Sequence, residues 1–180
     1  MPKIEIRPAT EEDIPKIIAL DHNYVSDTVW QMEIQAEEAR IEVNFRQTRL
    51  PRSVRVEYPR KADELANNWQ KRSGLLVATL EEGEIAGYAS IMDTIAPNTS
   101  WVTDLVVLRR LRRQGIGSAL VLAAQEWARQ HHRSRLILEM QPKNHPAVCM
   151  AQKMGYDFCG YNDRYYVNQD IALFFAKYIR

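Results

Sequence analysis

The 180-residue chain lacks the marks of several large protein classes. It has only two cysteines, Cys149 and Cys159, which favours reduced thiols in an intracellular protein over a disulfide framework. No apolar run approaches the length of about 18 residues needed to span a bilayer, and no signal peptide is recognisable, so we expect a cytoplasmic protein outside the membrane. The net charge is only +1, so no bulk attraction to nucleic acid or to a membrane is expected.

Zinc-type spacings, repeats and low-complexity tracts are missing as well. No spacing of His or Cys residues suits zinc, so we expect no metal. The basic run over residues 109–113 could attract nucleic acid, but it lacks interleaved aromatic residues, and we expect no nucleic-acid partner. The chain is 46% hydrophobic and 26% charged, which is ordinary for a globular protein, and its length predicts a single domain over residues 1–180.

The most informative stretch is residues 101–128, which predicts a strand, a sharp turn and a helix. The strand, residues 101–108, is rich in Val and Leu, and the helix that begins near Gly117 has apolar residues at the spacing of one helical face. The turn between them contains Gly115 and Gly117. Because glycine has no Cβ, the backbone there can bend freely and a ligand can approach it closely.

This turn also has the features of an anion site. The first N–H groups of a helix have no intrahelical partner, and together with the helix dipole they favour a phosphate. Arginine binds phosphate well, and four arginines lie close together here: Arg109, Arg110, Arg112 and Arg113. We therefore expect the turn to hold a pyrophosphate, the alternative being an ordinary strand-to-helix turn with a solvated basic edge. An ATPase-type phosphate loop is excluded because Gly117, not Lys, precedes Ser118.

The stretch resembles the GNAT superfamily of N-acetyltransferases. Arg112, Gly115 and Gly117 have the spacing of its acyl-CoA signature, and the signature follows a Val-rich strand as it does in that family. Downstream, Asn144 precedes a helical segment that ends at Gly155 and Tyr156, which is similar to the family's next block. The resemblance covers residues 75–180 well and residues 3–22 loosely, and the C-terminal run resembles the streptothricin acetyltransferase branch.

The resemblance implies an α/β fold with a mixed, mostly antiparallel central sheet flanked by helices. It also implies transfer of an acetyl group from acetyl-CoA to a primary amine, by direct attack in a ternary complex. The pantetheine arm of the cosubstrate would bind along the central strand, the pyrophosphate would lie on the turn, and Asn144 would contact the far side of the arm. The implied binding residues are Leu105, Val106, Val107, Arg112, Arg113, Gln114, Gly115, Ile116, Gly117, Ser118 and Asn144.

Such a reaction needs a base and an oxyanion donor. An alkyl amine with a pKa of about 10 is only ~0.1% neutral at pH 7, so a general base should remove a proton. Asp104 is our first candidate because it interrupts an apolar strand, although a carboxylate there could also face solvent at a strand edge. Glu139 on the neighbouring strand is the second candidate. A backbone N–H near Val106 is the candidate donor to the oxyanion.

The usual general acid of the family is missing. The family often has a Tyr four residues before the Gly of its Gly–aromatic pair, and here that position is Ala151. The thiolate could leave unassisted, or another tyrosine could act as the acid. The candidates are Tyr156, Tyr161, Tyr165 and Tyr166. Packing within a strand is the alternative role for each of them. The missing tyrosine also leaves open a second class, a non-catalytic acyl-CoA-binding sensor on the same fold.

Outside this stretch the pattern alternates strands and helices. Strands are predicted at residues 3–7, 135–140, 156–161 and 171–178, a hairpin at 74–92, and helices at 10–20, 62–70 and 146–155. Three runs within residues 29–58 alternate with period two and predict a β insertion, with turns near residues 36–39 and at Leu50 and Pro51. A short helix near residues 36–40 is the alternative by propensity. GNAT domains usually carry helices there, where the family binds its acceptor.

The acceptor is therefore not named by the sequence, and a small-molecule amine and a peptide amine both fit. Tyr24 and Trp30 are candidates to line its pocket, with core packing the alternative for Trp30. Three acidic residues are candidates to recognise a cationic acceptor: Asp27, Glu33 and Asp163. A homodimer stays open.

Overall fold

A computed structural model describes residues 2–179 of the chain. The strands in this part of the chain are β1 (Ile4–Pro8), β2 (Tyr24–Glu37), β3 (Arg40–Val56), β4 (Gly74–Leu80), β5 (Ile85–Ala96), β6 (Thr99–Val107), β7 (Arg135–Met140), β8 (Asp157–Asn162) and β9 (Ala172–Tyr178). The α-helices are α1 (Ile14–Ile18), α2 (Ala62–Asn68), α3 (Ile116–Gln130) and α4 (His145–Lys153). Short 3-10 turns lie at Glu11–Asp13, Trp69–Lys71 and Arg109–Leu111.

Seven strands form the central sheet, in the order β1-β4-β5-β6-β7-β9-β8. Every neighbouring pair is antiparallel except β6 and β7, which are parallel. The helices α3 and α4 bury apolar residues against one face of the sheet, and α1 and α2 pack on the other face. The predicted α/β class, with a mostly antiparallel sheet flanked by helices, is confirmed.

The central strand β6 separates from its neighbour halfway along. Residues 99–102 of β6 pair with residues 135–138 of β7. A bulge at Thr103 then shifts the register of β6 against β5, and a bulge of this kind bends a strand and increases its twist. Among the described residues, 104–107 pair only with β5, so the two parallel strands diverge and leave an opening between them.

The predicted β insertion is a two-stranded hairpin, and one of its two predicted turns is wrong. The chain reverses between β2 and β3 within the expected residues 36–39, but Leu50 and Pro51 lie inside β3. There, residues 50–53 stand opposite a single residue of β2 and form a bulge. Proline is tolerated at bulges because its missing N–H leaves no ladder bond unmade. The hairpin also begins five residues earlier than predicted, at Tyr24.

The hairpin lies across the diverging ends of β6 and β7. The N–H of Trp30 donates to the carbonyl of Pro142, 3.0 Å away, just after β7, and Trp30 packs against the main core, the alternative role considered for it. Phe45 makes ring contacts with Phe158 and Tyr161 of β8. The hairpin therefore covers the opening.

No helix in residues 2–179 is long and apolar enough to cross a bilayer.

Candidate active site

A cleft of about 630 Å³, here called the main cleft, opens where β6 and β7 diverge. Its walls come from β6, from the turn before α3, from α4 and from the segment that enters β2. Of the residues expected to bind the cosubstrate, all but Gln114 and Ile116 line it. Ile116 is buried in the core, and the side-chain amide of Gln114 donates to the carbonyl of Arg110.

The turn before α3 leaves backbone N–H groups unpaired at the main cleft. Gly115 has a φ of 89° and Arg113 a φ of 66°, both in the left-handed region. Ala119 is the first helical residue whose N–H reaches back, to the carbonyl of Gly115 at 3.0 Å. The N–H groups before it have no intrahelical acceptor, and Gly117 and Ser118 line the cleft. This arrangement suits an anion.

Gly117 leaves space that the fold itself does not require. Its φ is outside the left-handed region, and a Cβ placed on it would meet only the sulfur of Met150 at 3.4 Å and a methyl of Val107 at 3.8 Å. Both distances are ordinary contacts. Neither backbone strain nor packing therefore demands glycine here, and the missing side chain keeps this wall of the cleft open to a bulky group.

The Arg112 side chain does not act as we expected. Its guanidinium donates to the carbonyls of Val107 (2.8 Å), Asn23 (2.8 Å) and Asp21 (2.5 Å). These bonds tie the turn to the segment before β2 and leave the group committed to the protein. Of the other predicted arginines, Arg110 pairs with Glu84 at the surface. The cations that line the cleft beside Arg112 are Arg55, Arg109, Arg113 and Lys153, and two of these, Arg55 and Lys153, were not predicted.

The backbone N–H of Val106 is also directed away from the main cleft, which corrects our expectation for the oxyanion donor. Leu108 lies two residues after Val106, and its N–H donates to the carbonyl of Ala86 in β5 at 2.8 Å. The carbonyl of Val106 lies so close to Gly87 of β5 that a Cβ there would be 2.5 Å from it. Because backbone groups alternate along a strand, the N–H groups of Leu105 and Val107 point to the open edge.

Asp104 and Glu139 lie in a buried network around Arg60, outside the main cleft. Asp104 is only 4% exposed and accepts hydrogen bonds from the hydroxyls of Tyr58 (2.9 Å) and Thr103 (3.0 Å). The Arg60 guanidinium lies 3.6 Å from Asp104, pairs closely with Glu139 and donates to the Thr103 carbonyl at 2.7 Å. Asp104 therefore faces neither solvent nor the cleft.

Both carboxylate oxygens of Glu139 have partners, Arg60 on one and Tyr165 on the other. Its side chain is fully buried, and its second oxygen accepts from the Tyr165 hydroxyl at 3.1 Å. Burial raises the pKa of Glu139 above its usual range, and the charge of Arg60 opposes that rise. Arg60 also stacks over the Tyr166 ring, 5.2 Å from the centroid. Two carboxylates thus share one guanidinium, so the cluster carries a net negative charge when both are ionised.

A second, smaller space of about 50 Å³, here called the side cavity, adjoins the main cleft. Arg60, Glu139 and Tyr166 line it, together with five residues that also line the main cleft. These shared residues are Tyr58, Leu105, Asn144, Ala147 and Met150. The two spaces therefore meet at the open edge of β6.

The other predicted residues fall in different places. Asn144 begins α4, where its side chain accepts from the N–H of Ala147 at 3.3 Å. Tyr24 lines the main cleft and donates to Gln141 at 2.9 Å. Among the four tyrosines considered as substitute acids, Tyr166 alone lines either cavity. The three acidic candidates for acceptor recognition line neither cavity: Asp27, Glu33 and Asp163.

The two cysteines are free thiols. Cys149 is half-buried and lines the main cleft from α4, with its sulfur 3.3 Å from Nε2 of His145. Cys159 is exposed on β8. In the part of the chain that the structure describes, no three His, Cys, Asp or Glu side chains lie close enough to hold a metal ion.

Tyr58 and Arg60 were missed by the sequence reasoning. They lie between β3 and α2, a segment that the family resemblance did not cover. Tyr58 continues an alternating pattern that predicts only a strand, and no motif in the sequence points to Arg60. The one local signal is Pro59, which interrupts the alternation and separates an aromatic residue from a cation.

Comparisons with known proteins agree with this geometry. The model of the acetyltransferase (GNAT) family matches residues 41–156. The chain is 25% identical over 162 residues to the streptothricin acetyltransferase of Streptomyces lavendulae, which covers 90% of this chain and 86% of the relative. The solved structure of nourseothricin acetyltransferase superposes with a TM-score of 0.81, at 24% identity, over 98% of this chain and 99% of that one.

A protein from Bacillus anthracis, solved in complex with acetyl coenzyme A, superposes with a TM-score of 0.72, at 19% identity, over 99% of this chain and 98% of that one. The family match runs from the start of the second hairpin strand to the Gly155–Tyr156 pair, and it includes the turn before α3. The chain therefore belongs to the GNAT family of acetyltransferases, as the signature around Gly115 and Gly117 predicted.

Proposed function

We propose that this protein transfers an acetyl group from acetyl-CoA to a primary amine of a small cationic molecule, by direct attack in a ternary complex. The observation that carries the proposal is the main cleft, in which an unpaired strand edge leads directly to a turn of free N–H groups. A related fold holds acetyl coenzyme A. The relative that matches 90% of the chain is named for streptothricin, which supports an amine of that kind as acceptor.

The cosubstrate fits the main cleft in a defined direction. The open edge of β6 offers the N–H and carbonyl of Leu105 and the N–H of Val107, which can pair with the amides of the pantetheine arm like an added strand. The pyrophosphate then lies on the N–H groups of residues 115–118. The side chains of Arg55, Arg109, Arg113 and Lys153 surround this end and can neutralise phosphate charge.

This direction places the thioester where the main cleft meets the side cavity. A thioester is already activated, so an amine can attack it without a covalent enzyme intermediate. An N–H at the open edge, from Leu105 or Val107, is positioned to donate to the oxyanion that forms. The leaving thiolate has a pKa near 8.5, so it needs little acid assistance, which fits the presence of Ala151 where the family often has tyrosine.

The acceptor would enter from the side of the hairpin. Arg60 and Glu139 line the side cavity, and the buried network of Arg60 also includes Asp104 behind it. When both carboxylates are ionised, the net negative charge of this network favours a cationic amine over an anionic acceptor. The hairpin covers this side and would contact the part of the acceptor that lies beyond its amine.

A thiol-release assay tests the proposal against the sensor alternative. Purified protein is mixed with acetyl-CoA and with a panel of streptothricin, a polyamine, a peptide with a free N-terminus and lysine. We expect CoA release only when an amine is present, fastest with streptothricin, and mass spectrometry should find one added acetyl group on that acceptor. Tight acetyl-CoA binding with no release across the panel would support the sensor instead.

A further inference from the structure

The junction between the main cleft and the side cavity contains one group able to pass a proton. Five residues line both spaces. Leu105, Ala147 and Met150 have no exchangeable proton in their side chains, and the Asn144 amide caps α4 and does not titrate in water. Tyr58 alone among these five has a hydroxyl, which can accept one proton while it donates another.

The Tyr58 hydroxyl is already directed at a carboxylate. It donates to Oδ1 of Asp104 at 2.9 Å, while Oδ2 of Asp104 accepts from the Thr103 hydroxyl at 3.0 Å. Asp104 does not line the main cleft or the side cavity. Tyr58 lines the main cleft and donates to this carboxylate, so it connects Asp104 to an amine bound in the cleft.

The other titratable groups nearby are committed elsewhere. Nδ1 of His22 lies 2.6 Å from the carbonyl of Leu20, so it carries the ring proton, and Nε2 then accepts from Tyr88 at 3.0 Å. Burial lowers the pKa of His22, so the ring is neutral at pH 7. Arg60 and Glu139 bind each other. Arg72, Lys61 and Glu64 line a separate cavity of about 10 Å³, which Asp104, Tyr58 and His22 also line.

Resting on the proposed function, we propose that Tyr58 carries a proton from the bound ammonium group to Asp104, so that the two residues together form the base of the reaction. Burial and the charge of Asp104 raise the pKa of Tyr58 well above its usual range. The hydroxyl therefore stays protonated at neutral pH and works as a relay, with Asp104 as the final proton acceptor.

The proton and electron changes balance in this scheme. One N–H proton of the ammonium group moves to the oxygen of Tyr58 while the Tyr58 proton moves to Oδ1 of Asp104. The nitrogen lone pair so freed attacks the thioester carbonyl carbon, a C–N bond forms, and the carbonyl electron pair moves to oxygen. When the carbonyl re-forms, the C–S bond breaks and the sulfur takes the surplus nitrogen proton. Asp104 later returns its proton to solvent through Tyr58.

The variant Tyr58→Phe tests the relay because it keeps the ring and removes only the hydroxyl. With an alkyl amine at pH 7 we expect kcat to fall about 100-fold, at the lower end of the range for general acid–base catalysis. An aromatic amine is already neutral at pH 7 and needs no base before it attacks. With this amine the loss of kcat should therefore be only about threefold or less. The dissociation constant of acetyl-CoA should not change.

Two further variants separate a relay from a structural role. Asp104→Asn should show the same dependence on amine basicity, and the double variant should lose no more than the larger single loss, because the two groups act in series. Tyr156→Phe is the matched control, since it removes a buried hydroxyl bonded to Gln125 in the core. We expect it to keep wild-type kcat with both amines.

The outcomes distinguish the relay from the proposed function. An active wild type with an unchanged Tyr58→Phe variant would overturn the relay alone. Equal losses with alkyl and aromatic amines would also overturn it, since a purely structural defect does not depend on amine basicity. A wild type that releases no CoA with any amine would overturn the proposed function and the relay together.

Discussion

The two sides of the main cleft are built in different ways. On one side, β6 and the turn before α3 present backbone groups: the open edge at Leu105 and the free N–H groups near Gly117. On the other side, the segment between β3 and α2 presents side chains, Tyr58 and Arg60, in a buried hydrogen-bonded network. The first side should tolerate many side-chain changes, whereas the second should be sensitive to the loss of a single charge.

The largest effect should come from the side-chain side of the cleft. Arg60→Met removes the guanidinium that lies between Asp104 and Glu139 and leaves both buried carboxylates without this cation. Breaking a buried ion pair from one side typically costs about 3–5 kcal/mol. We expect the free energy of unfolding, measured by urea denaturation at pH 7, to fall by about that amount.

A surface ion pair supplies the control for Arg60. Arg40→Met breaks an exposed pair with Glu42 on the hairpin, and such pairs contribute about 0–1 kcal/mol. If Arg60→Met cost no more than Arg40→Met, the network would not be a buried charge cluster and the contrast between the two sides would fail.

On the backbone side, Gly117→Glu should abolish cosubstrate binding and spare the fold. The new carboxylate would occupy the space left open at the anion site and would repel phosphate. We expect the dissociation constant of acetyl-CoA to rise at least about 100-fold, or about 2.7 kcal/mol, as measured by calorimetry. Gly117→Ala should have a much smaller effect, because a Cβ there makes only ordinary contacts.

Leu122→Glu is the matched control for Gly117→Glu. It introduces the same charge on the same helix, at a position that is 57% exposed, and should leave acetyl-CoA affinity unchanged. Unaltered affinity in Gly117→Glu itself would remove the turn from the binding site.

A smaller effect should come from Arg55, because it lies on the hairpin yet lines the cleft beside the turn. Exposed cations contribute modestly to anion binding, about 0.5–1 kcal/mol. We expect Arg55→Met to weaken acetyl-CoA binding about threefold in low salt, with the difference fading at high salt as charges are screened. A loss that does not change with salt would indicate a packing role.

The smallest effect concerns pH. Burial raises the pKa of Glu139 in the native state above its value in the unfolded state. At a pH between these two pKa values, the native state therefore binds more protons than the unfolded state. Stability contributed by this group is therefore full below the unfolded pKa and declines as pH rises through the native pKa. Urea unfolding of Glu139→Gln across pH 4 to 8 should lack this part of the decline. Parallel curves for wild type and variant would contradict the assignment.

The backbone side of the cleft could be predicted from sequence because its signals are local. Two glycines at fixed spacing after a Val-rich strand predict a turn with free N–H groups, and the structure has that turn. The hydrogen bonds of the Arg112 guanidinium could not be predicted, since two of its three acceptors are carbonyls some 90 residues away in the chain. Local spacing carries no information about such distant partners.

The side of the cleft that presents side chains could not be predicted, because its contacts join residues that are distant in the sequence. Arg60 meets Glu139 across 79 positions of sequence, and Tyr58 meets Asp104 across 46. The sequence identifies Asp104 as an acid in an apolar strand, but its burial depends on contacts with Tyr58 and Arg60, which are distant in the sequence. The turn expected at Leu50 and Pro51 failed because proline also fits a bulge, and only the pairing with β2 distinguishes a bulge from a turn.

Amide hydrogen exchange, measured with and without acetyl-CoA, tests the central claim most directly. The free protein should exchange quickly at Leu105, Val107, Gly117 and Ser118, and slowly at Val106, whose N–H faces β5. Saturating acetyl-CoA should slow exchange at the first four and leave Val106 unchanged. Unaltered exchange at Leu105 and Gly117 in the presence of bound acetyl-CoA would contradict a cosubstrate seated on this strand edge and turn.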